Sequence, residues 1–395
     1  MERPIYMDHN ATTPVDPRVV EAMLPCFTEH FGNPASRTHA YGWAAARLVE
    51  RARERIAGAL GAHPDEVIFT SGATESNNLA IKGVAWALRE RGRHLVTVAT
   101  EHKAVLDPCR RLEAEGFEVT VLPVDRQGRV EPEQVAAALR RDTVLVSVML
   151  ANNETGTLQP VAAIAGVCRA AGVLLHSDAT QAVGKIAVDV GALGVDLLSL
   201  SGHKIYGPRG VGALIMRRRR PRMRLVPLLD GGGHEAGARS GTLNTPGVVG
   251  LARALEIAGT DRVDEGQRLT ALRERLRDRI RAGLDGVYEN GHPTERLPNT
   301  CNLSFEGVDG NALLVGLSEV AVSSGSACTS AEPKPSHVLA ALGVPPALAA
   351  ASLRFSLGRG NTEQEIDTVA AAVCRVVAGL RDHSPLSRPP ASPGG

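Results

Sequence analysis

The sequence predicts an α/β protein with a large, mostly parallel central sheet covered by helices and a smaller α+β region. Between residues 50 and 220, apolar β-rich segments alternate with Ala-rich amphipathic segments such as residues 74–91 and 131–141. Several apolar segments lack polar/apolar alternation, which is typical of parallel strands buried on both faces. After residue 246 the pattern changes to a long charged helical stretch, residues 250–285, and then to a second region with its own strands.

The candidate strands of the large sheet are residues 66–70, 94–100, 118–125, 143–150, 172–179, 196–201 and 211–216. The arginine run at residues 217–220 is expected to be the solvated end of the last of them. The smaller region contributes "TCNLSFEG" and "ASLRFSLG" as strands. No internal repeat is visible, and the Pro- and Ser-rich end of the chain, residues 384–395, is expected to be disordered.

Composition excludes several classes of protein. The 395 residues carry a formal net charge of +1, so no global field draws the chain to nucleic acid or to a membrane surface. No stretch approaches the ~18 apolar residues of a membrane span, and the first ten residues lack the apolar core of a signal peptide. Six cysteines without a C-x-x-C pair argue against a zinc site and a disulfide scaffold. We therefore expect a cytoplasmic protein without a required metal.

Polar residues lie at or just after the carboxyl ends of five of the candidate strands. In open parallel sheets, ligands bind beyond the carboxyl ends of the strands, so these positions are the first candidates for a site. They are Thr70 to Gly72, Glu101 with His102, Asn152 to Glu154, Asp178 with Gln181, and Ser201 to Lys204.

Lys204 stands out because lysine is rare in this chain. It occurs only at Lys82, Lys103, Lys185, Lys204 and Lys334, and every other basic residue apart from histidine is arginine. Lysine can lose its proton and form a Schiff base, whereas arginine stays charged. Lys204 is therefore a candidate for carbonyl chemistry.

Three other strand-end features complement Lys204. Residues 71–74 lead a strand into a helix and could form a phosphate cup, although an ordinary capped helix start has the same pattern. Asp178 could pair with a pyridinium nitrogen, or it could be a cap or a structural ion pair. His102 could stack on a flat ring or move protons, or it could be structural. Together, in this order, these features indicate pyridoxal phosphate.

Cys328 lies in "VSSGSACTSAEPKPS", a run of small residues without a bulky apolar anchor. Such a segment predicts a mobile loop, and an exposed thiol there is a candidate nucleophile. An incidental loop cysteine is the alternative. Cys109, Cys168, Cys301 and Cys374 occupy apolar helix or strand positions and are expected to be inert.

A set of short motifs runs along nearly the whole chain. They are "DHNATTPVDPRV", "FGNPASR", "FTSGATES", "TEHKAVLD", "NNETG", "DATQAVGK", "SGHKIYGPRGVGAL", "GGGHE", "RSGTLN", "SSGSACTS" and "RFSLGR". Together they resemble the motifs of one enzyme family, the pyridoxal-phosphate-dependent cysteine desulfurases of the IscS/NifS type, and the resemblance covers about residues 4–370. The resemblance implies a fold-type I transferase with a large cofactor domain, residues 15–258, and a small domain formed by residues 1–14 and 259–383.

The resemblance also implies a role for each matching residue. Lys204 matches the Schiff-base lysine, Cys328 the persulfide-forming cysteine and His102 the ring-stacking histidine that also moves protons. The other implied contacts are Asp178 at the pyridine nitrogen, Gln181 and Asn153 near the ring hydroxyl, Ala73, Thr74, Ser201 and His203 at the phosphate, Thr242 at the phosphate of the other subunit, and Arg354 with Asn153 at the substrate carboxylate. No metal is required, and Cys328 is a possible transient ligand of an iron–sulfur cluster.

The implied partners are L-cysteine, a second copy of the chain, and sulfur-acceptor proteins such as an iron–sulfur scaffold or a tRNA-thiolation protein. Three features depart from the family pattern: His9 replaces a tyrosine or asparagine, the run at residues 217–220 has one extra arginine, and the tail is Pro-rich. A selenocysteine lyase or a β-lyase could share these residues, whereas an aminotransferase would not need Cys328. A non-catalytic binding protein is also an alternative. It would be expected to lack one of the reactive residues, whereas this sequence contains Lys204, Asp178, His102 and Cys328.

Overall fold

The structure is a computed structural model that describes residues 3–218, 223, 225–324 and 336–382. Its strands are β1 (Ile5–Tyr6), β2 (Val67–Thr70), β3 (His94–Val98), β4 (Glu118–Leu122), β5 (Thr143–Ser147), β6 (Leu174–Asp178), β7 (Leu197–Ser201), β8 (Gly212–Met216), β9 (Val287–Glu289), β10 (Thr300–Phe305), β11 (Val320–Ala321), β12 (Ser323–Ser324) and β13 (Ser352–Ser356). Its α-helices are α1 (Pro17–Met23), α2 (Pro25–Thr28), α3 (Ala40–Leu60), α4 (Ala73–Leu88), α5 (Lys103–Glu113), α6 (Pro132–Ala138), α7 (Val161–Ala171), α8 (Val190–Leu193), α9 (Thr245–Gly283), α10 (Gly310–Gly316), α11 (His337–Ala341), α12 (Pro346–Ala350) and α13 (Glu363–Asp382).

The large sheet has the order β2-β8-β7-β6-β5-β3-β4. Neighbours from β7 to β4 pair in parallel, whereas β8 runs antiparallel to both β2 and β7. Every residue of β3, β5, β6 and β7 is buried, because helices cover both faces of the sheet. All seven strands predicted from the sequence are present, and the structure ends most of them one to three residues earlier.

A second, antiparallel sheet has the order β12-β13-β10-β9. The start of the chain joins this part of the molecule, since β1 pairs with β11 and Asp8 forms a bridge with Ser356. The side chain of Met7 packs in the second core with those of Leu303 and Phe355. The second sheet includes both strands that the sequence predicts after residue 285.

Helix α9 is shared by the two cores. Its first part, with Leu251 and Leu255, packs against the large sheet, and its later part, with Leu272 and Leu276, packs in the second core. We propose that the chain divides near residue 258 into the two domains predicted above, and this change of packing supports that boundary. The predicted tail, residues 384–395, and Arg219 and Arg220 of the arginine run lie outside the described residues.

Among the described residues, no helix combines the length and the apolar character that a membrane crossing needs. Within the same residues, no group of three or more His, Cys, Asp or Glu side chains is arranged to hold a metal ion.

Candidate active site

A cavity of about 600 Å³ lies at the carboxyl ends of β2, β6 and β7, where the parallel-sheet rule places ligands. Its volume suits a small organic cofactor. The structure brings most of the predicted site residues to its walls: Ala73, Thr74, His102, Asn153, Asp178, Gln181, Ser201, His203, Lys204 and Arg354.

The predicted phosphate cup is the start of α4. Gly72 precedes the helix with φ 150°, a conformation that favours glycine, and no side chain caps the helix there. A Cβ on Gly72 would lie 3.7 Å from Ser201 Oγ on the opposite side of the cup. Ala73 and Thr74 line the cavity at the positive end of the helix dipole. This arrangement suits an anion such as a phosphate group.

Asp178 ends β6 with its carboxylate held at both oxygens. Its Oδ2 accepts a hydrogen bond from Asn77 Nδ2 at 2.7 Å, and its Oδ1 accepts one from the Thr180 amide at 2.9 Å. Asn77 is fully buried on the second turn of α4. The same helix therefore supplies the anion site at its start and orients the acid one turn later.

Lys204 lies in a short 3-10 turn, Gly202–Lys204, that follows β7. Its Nζ donates to the carbonyl oxygens of Asn10 at 2.5 Å and Ala11 at 2.7 Å. Residues 10 and 11 reach the site from the start of the chain and also line the cavity. The turn continues into Tyr206, whose φ of 62° is uncommon for a non-glycine residue. The Tyr206 amide donates to Thr13 Oγ1, which holds this turn against the start of the chain.

The His102 ring caps α5, because its Nδ1 accepts a hydrogen bond from the Ala104 amide at 3.0 Å. An accepting Nδ1 leaves the proton of the neutral ring on Nε2. Although the ring is accessible from the cavity, desolvation by the surrounding protein lowers the pKa of His102, and the charge of Lys204 adds to this effect while Asp178 opposes it. The ring is therefore neutral near pH 7. Burial likewise lowers the pKa of His203 to about 4.

Arg354 lies on β13, opposite the sheet ends. Its Nη2 pairs with Asp8 Oδ1 at 2.6 Å, and its Nη1 donates to the Asn153 carbonyl at 3.1 Å. Arg354 is 3% exposed, and its buried Nε has no hydrogen-bond partner among the described residues. A guanidinium fixed in this way at the cavity wall is suited to binding a carboxylate.

Two further residues were predicted for the site, Cys328 and Thr242. Cys328 lies outside the described residues. Thr242 is exposed in the loop before α9 and does not line the cavity. Its predicted contact requires a second subunit, so it stays a prediction.

The five described cysteines are buried or partly buried, in line with the inert positions predicted for Cys109, Cys168, Cys301 and Cys374. Cys26, Cys109, Cys168 and Cys301 are buried, and Cys374 is partly buried. Desolvation raises the pKa of Cys109 and that of Cys301 to about 12. These two thiols are protonated at neutral pH and do not supply a thiolate.

Sequence reasoning missed several residues of the site. The sequence analysis assigned no role to Asp8, Asn10 or Asn77, although Asp8 and Asn10 occur in the motif "DHNATTPVDPRV". Asn77 lies inside a helix, and Asp8 and Asn10 find their partners only in the folded chain. A signal for Asn77 is an amide at the fifth position of the helix that begins at the cup, facing the sheet.

Comparison with known proteins agrees with this geometry. The family model "Aminotransferase class-V" matches residues 5–369. Cysteine desulfurase IscS of Anaeromyxobacter dehalogenans (strain 2CP-C) is 56% identical over 386 residues, which cover 98% of this chain and 95% of that protein. A solved NifS-like protein has a TM-score of 0.89 at 39% identity and covers 95% of this chain and 100% of its own. SspA, solved in complex with cysteine, has a TM-score of 0.80 at 39% identity, covering 89% and 98%.

The chain belongs to the class-V aminotransferase family, and within it to the cysteine desulfurases of the IscS/NifS type. The family depends on pyridoxal phosphate. The predicted fold class, enzyme class and cofactor are therefore confirmed. The residues at the cavity fit that cofactor, since an anion site, a buried acid and a lysine amine face one space of suitable volume.

Proposed function

We propose that this protein converts L-cysteine to L-alanine and holds the released sulfur as a persulfide on Cys328. The observation that carries the proposal is the convergence of Lys204, Asp178 and His102 with the start of α4 on one cavity. SspA, which is 39% identical, was solved with cysteine, and this supports cysteine as the substrate.

When bound, pyridoxal phosphate supplies an electron sink that stabilises negative charge at the substrate α-carbon. The start of α4, with Ala73 and Thr74, would hold its phosphate together with Ser201 and His203. Asp178 would pair with the ring nitrogen, held in place by Asn77. Gln181 and Asn153 would lie near the ring hydroxyl.

Proton transfer is assigned to Lys204 and His102. The Lys204 amine lies between the sheet ends and residues 10–11, and we assign it the removal of the α-proton. The neutral His102 ring presents a flat face for stacking, and its Nε2–H is the group that can exchange a proton with the substrate thiol. Arg354 would bind the substrate carboxylate with Asn153.

Described residues on both sides of Cys328 in the sequence lie next to residues of the cavity. Ser323 on β12 pairs with Arg354, and the Ser336 hydroxyl donates to Glu154, the neighbour of Asn153. Because Cys328 follows Ser324 by four residues, the chain keeps it within about 14 Å of that strand. In the proposed transfer the Cys328 thiolate attacks the substrate sulfur, so that an S–S bond forms as the substrate C–S bond breaks. The electron pair of the C–S bond stays with the substrate β-carbon, which takes up a proton as alanine forms.

We propose that the active form is a homodimer in which Thr242 of each subunit contacts the phosphate site of the other. An exposed apolar group near the start of the chain supports this: Leu24, Phe27, Phe31, Tyr41 and Trp43. A groove of about 1120 Å³ brings residues 34–37 beside residues 234–243, so this surface is continuous with the loop that contains Thr242. A partner subunit would cover these side chains.

We further propose that the persulfide passes to acceptor proteins in the cytoplasm, such as an iron–sulfur scaffold and, as a second outlet, a tRNA-thiolation protein. The relatives named cysteine desulfurase IscS support the transfer of sulfur from cysteine as the reaction. The described cysteines are free thiols, which agrees with a reducing compartment. A transient iron–sulfur ligand role for Cys328 is part of the same proposal.

A single-turnover experiment tests the reaction. Purified protein that carries bound pyridoxal phosphate, and is therefore yellow, is mixed with one equivalent of L-cysteine without reductant. Alanine and the mass of the Cys328 peptide are then measured. We expect alanine and one added sulfur on that peptide, both lost in Cys328→Ala and both retained in the matched variant Cys374→Ala. Pyruvate and free sulfide with an unmodified Cys328 would instead indicate a β-lyase. A strong preference for selenocysteine over cysteine would indicate a selenocysteine lyase.

A further inference from the structure

Lys185 is a second lysine close to Lys204 that the reaction above does not use. It ends the turn that follows β6, and its backbone amide donates to the Ala182 carbonyl. Gly184 precedes it with φ 79°, and a Cβ there would come within 2.7 Å of Ile205 Cγ2. Glycine at this position therefore lets the turn pack directly against the turn that holds Lys204.

The Lys185 ammonium contacts two amide side chains of the site. Its Nζ donates to Gln181 Oε1 at 2.7 Å and to Asn10 Oδ1 at 3.2 Å. Gln181 Nε2 in turn donates to the Asn10 carbonyl at 2.9 Å, the same oxygen that accepts from Lys204 Nζ. Gln181 and Asn10 are 5% and 1% exposed, and both line the cavity.

A protonated lysine can only donate hydrogen bonds, so in its ammonium form Lys185 fixes the orientation of the amides it contacts. With Oε1 turned toward Lys185, the NH₂ group of Gln181 must face the opposite side, next to the Lys204 amine. The same contact turns Asn10 Oδ1 toward Lys185 and leaves Asn10 Nδ2 to donate to Thr300 Oγ1 at 2.9 Å. One N–H of Gln181 Nε2 is used by the Asn10 carbonyl, and the second N–H is the donor that Gln181 can offer to the cavity it lines.

Lys185 itself does not line this cavity. It lies in a small space behind it, together with Lys204 and the side chains of His9 and Glu265. Burial there lowers the pKa of Lys185 to about 7, and the charges of Lys204 and Arg354 add to this effect while Glu265 opposes it. The charged and titratable groups on the packed elements near it are Lys204, Arg354, His9, Glu265, Arg262 and Arg359, and burial lowers the pKa of His9 to about 4.

We propose that Lys185 is a positioning residue that turns the Gln181 amide so that its NH₂ group donates toward the cofactor ring hydroxyl. The inference rests on the proposed function, because it needs Gln181 to contact the cofactor. Lys185 acts through Gln181 and makes no contact with substrate or cofactor. A donor at the hydroxyl oxygen stabilises its deprotonated form.

The test is a double-mutant cycle read by the absorbance of the bound cofactor and by its dissociation constant. The proteins are the parent, Lys185→Met, Gln181→Leu and the double variant, each titrated with pyridoxal phosphate and scanned over pH. Each single variant is expected to bind the cofactor about tenfold more weakly and to raise the pH midpoint of its visible absorbance. The double variant should match Gln181→Leu, since Lys185 has nothing left to orient.

Three outcomes would overturn the positioning role. The first is an unchanged spectrum and affinity in Lys185→Met. The second is a full additional shift from Lys185→Met in the Gln181→Leu background, which would mean that the Lys185 charge acts directly. The third is an equal change in the control variant Lys82→Met, which lies on α4. Failure of the parent protein to form alanine from cysteine would instead overturn the proposed function, so the two failures are distinguishable.

Discussion

The cavity has two walls that the chain builds in different ways. The sheet wall consists of the strand ends with Asp178 and Lys204 and the start of α4, and hydrogen bonds such as Asn77 to Asp178 hold it within the large sheet. The chain-end wall consists of residues 10–12 and Arg354, and the Asp8–Arg354 pair next to it joins residues 346 positions apart. The sheet wall thus depends on one sheet, whereas the chain-end wall forms only when both ends of the chain are in place. We assign the cofactor to the first and the substrate carboxylate to the second.

The largest effect is expected at Lys204, which belongs to the sheet wall and donates to residues 10 and 11 of the other wall. Lys204→Ala removes the amine that we assign to proton transfer, so alanine formation should fall about a thousandfold. The measurement is alanine formed in a single turnover, with Lys82→Ala as the control. A Lys204→Ala protein that forms alanine at the parent rate would show that neither wall needs this amine.

The next effect separates the two walls. Arg354→Ala should raise KM for L-cysteine and lower kcat/KM about a hundredfold, because it removes a buried cation and leaves Asp8 unpaired. Cofactor affinity should stay near that of the parent. Arg354→Lys keeps the positive charge but lacks the planar guanidinium, so its kcat/KM should lie between those of the parent and Arg354→Ala. Steady-state kinetics and cofactor titration measure the two quantities. If cofactor affinity fell as much as kcat/KM, the assignment of the substrate carboxylate to the chain-end wall and of the cofactor to the sheet wall would be contradicted.

The reverse pattern is expected in the sheet wall. Asn77→Ala removes the side-chain donor to Asp178 and should weaken cofactor binding about tenfold with little change in KM for cysteine. Asn78→Ala is the matched control, since the neighbouring amide donates to the Thr74 carbonyl on the same helix. Equal cofactor affinities of the two variants, measured by titration, would remove Asn77 from the site.

The smallest effect concerns stability and pH. Glu101 is fully buried behind the sheet wall, and desolvation raises the pKa of this carboxyl well above its usual value. The folded protein therefore binds one proton more than the unfolded chain above pH ~4.3, and folding becomes less favourable as pH rises toward the folded-state pKa. Glu101→Gln removes this dependence, so its free energy of unfolding should gain on the parent by up to about 1.4 kcal/mol per pH unit.

Chemical denaturation at several pH values checks this, with the exposed Glu113→Gln as control. A constant difference between Glu101→Gln and the parent across pH would mean that the Glu101 carboxyl is already ionised in the folded protein.

The sequence predicted the sheet wall better than the chain-end wall, for a physical reason. Continuous apolar strands followed by polar residues mark the carboxyl ends of parallel strands, and such ends meet at one edge whatever the exact strand order. That rule is enough to place Asp178, Ser201 and Lys204 at the same edge of the sheet. The antiparallel direction of β8 was not predicted, because apolar periodicity carries no information on strand direction.

Contacts made over long sequence distances were beyond such reasoning. Asp8 pairs with Arg354, and the Asn10 side chain donates to Thr300, in each case across most of the chain. The resemblance to a family identified Arg354 but gave no role to Asp8 or Asn10. Lys185 was counted as one of a few lysines, and its link to Gln181 became visible only in the folded turn.

Helix α9, Thr245–Gly283, extends over 39 residues and roughly 60 Å. Since one end is buried against the large sheet and the other in the second core, loss of either core would strip the helix of half its packing. The two halves of the protein therefore share a single cooperative element, and we expect one thermal unfolding transition for both. A proline at an exposed position midway, such as Val263, would cost about 3 kcal/mol or more and uncouple the halves.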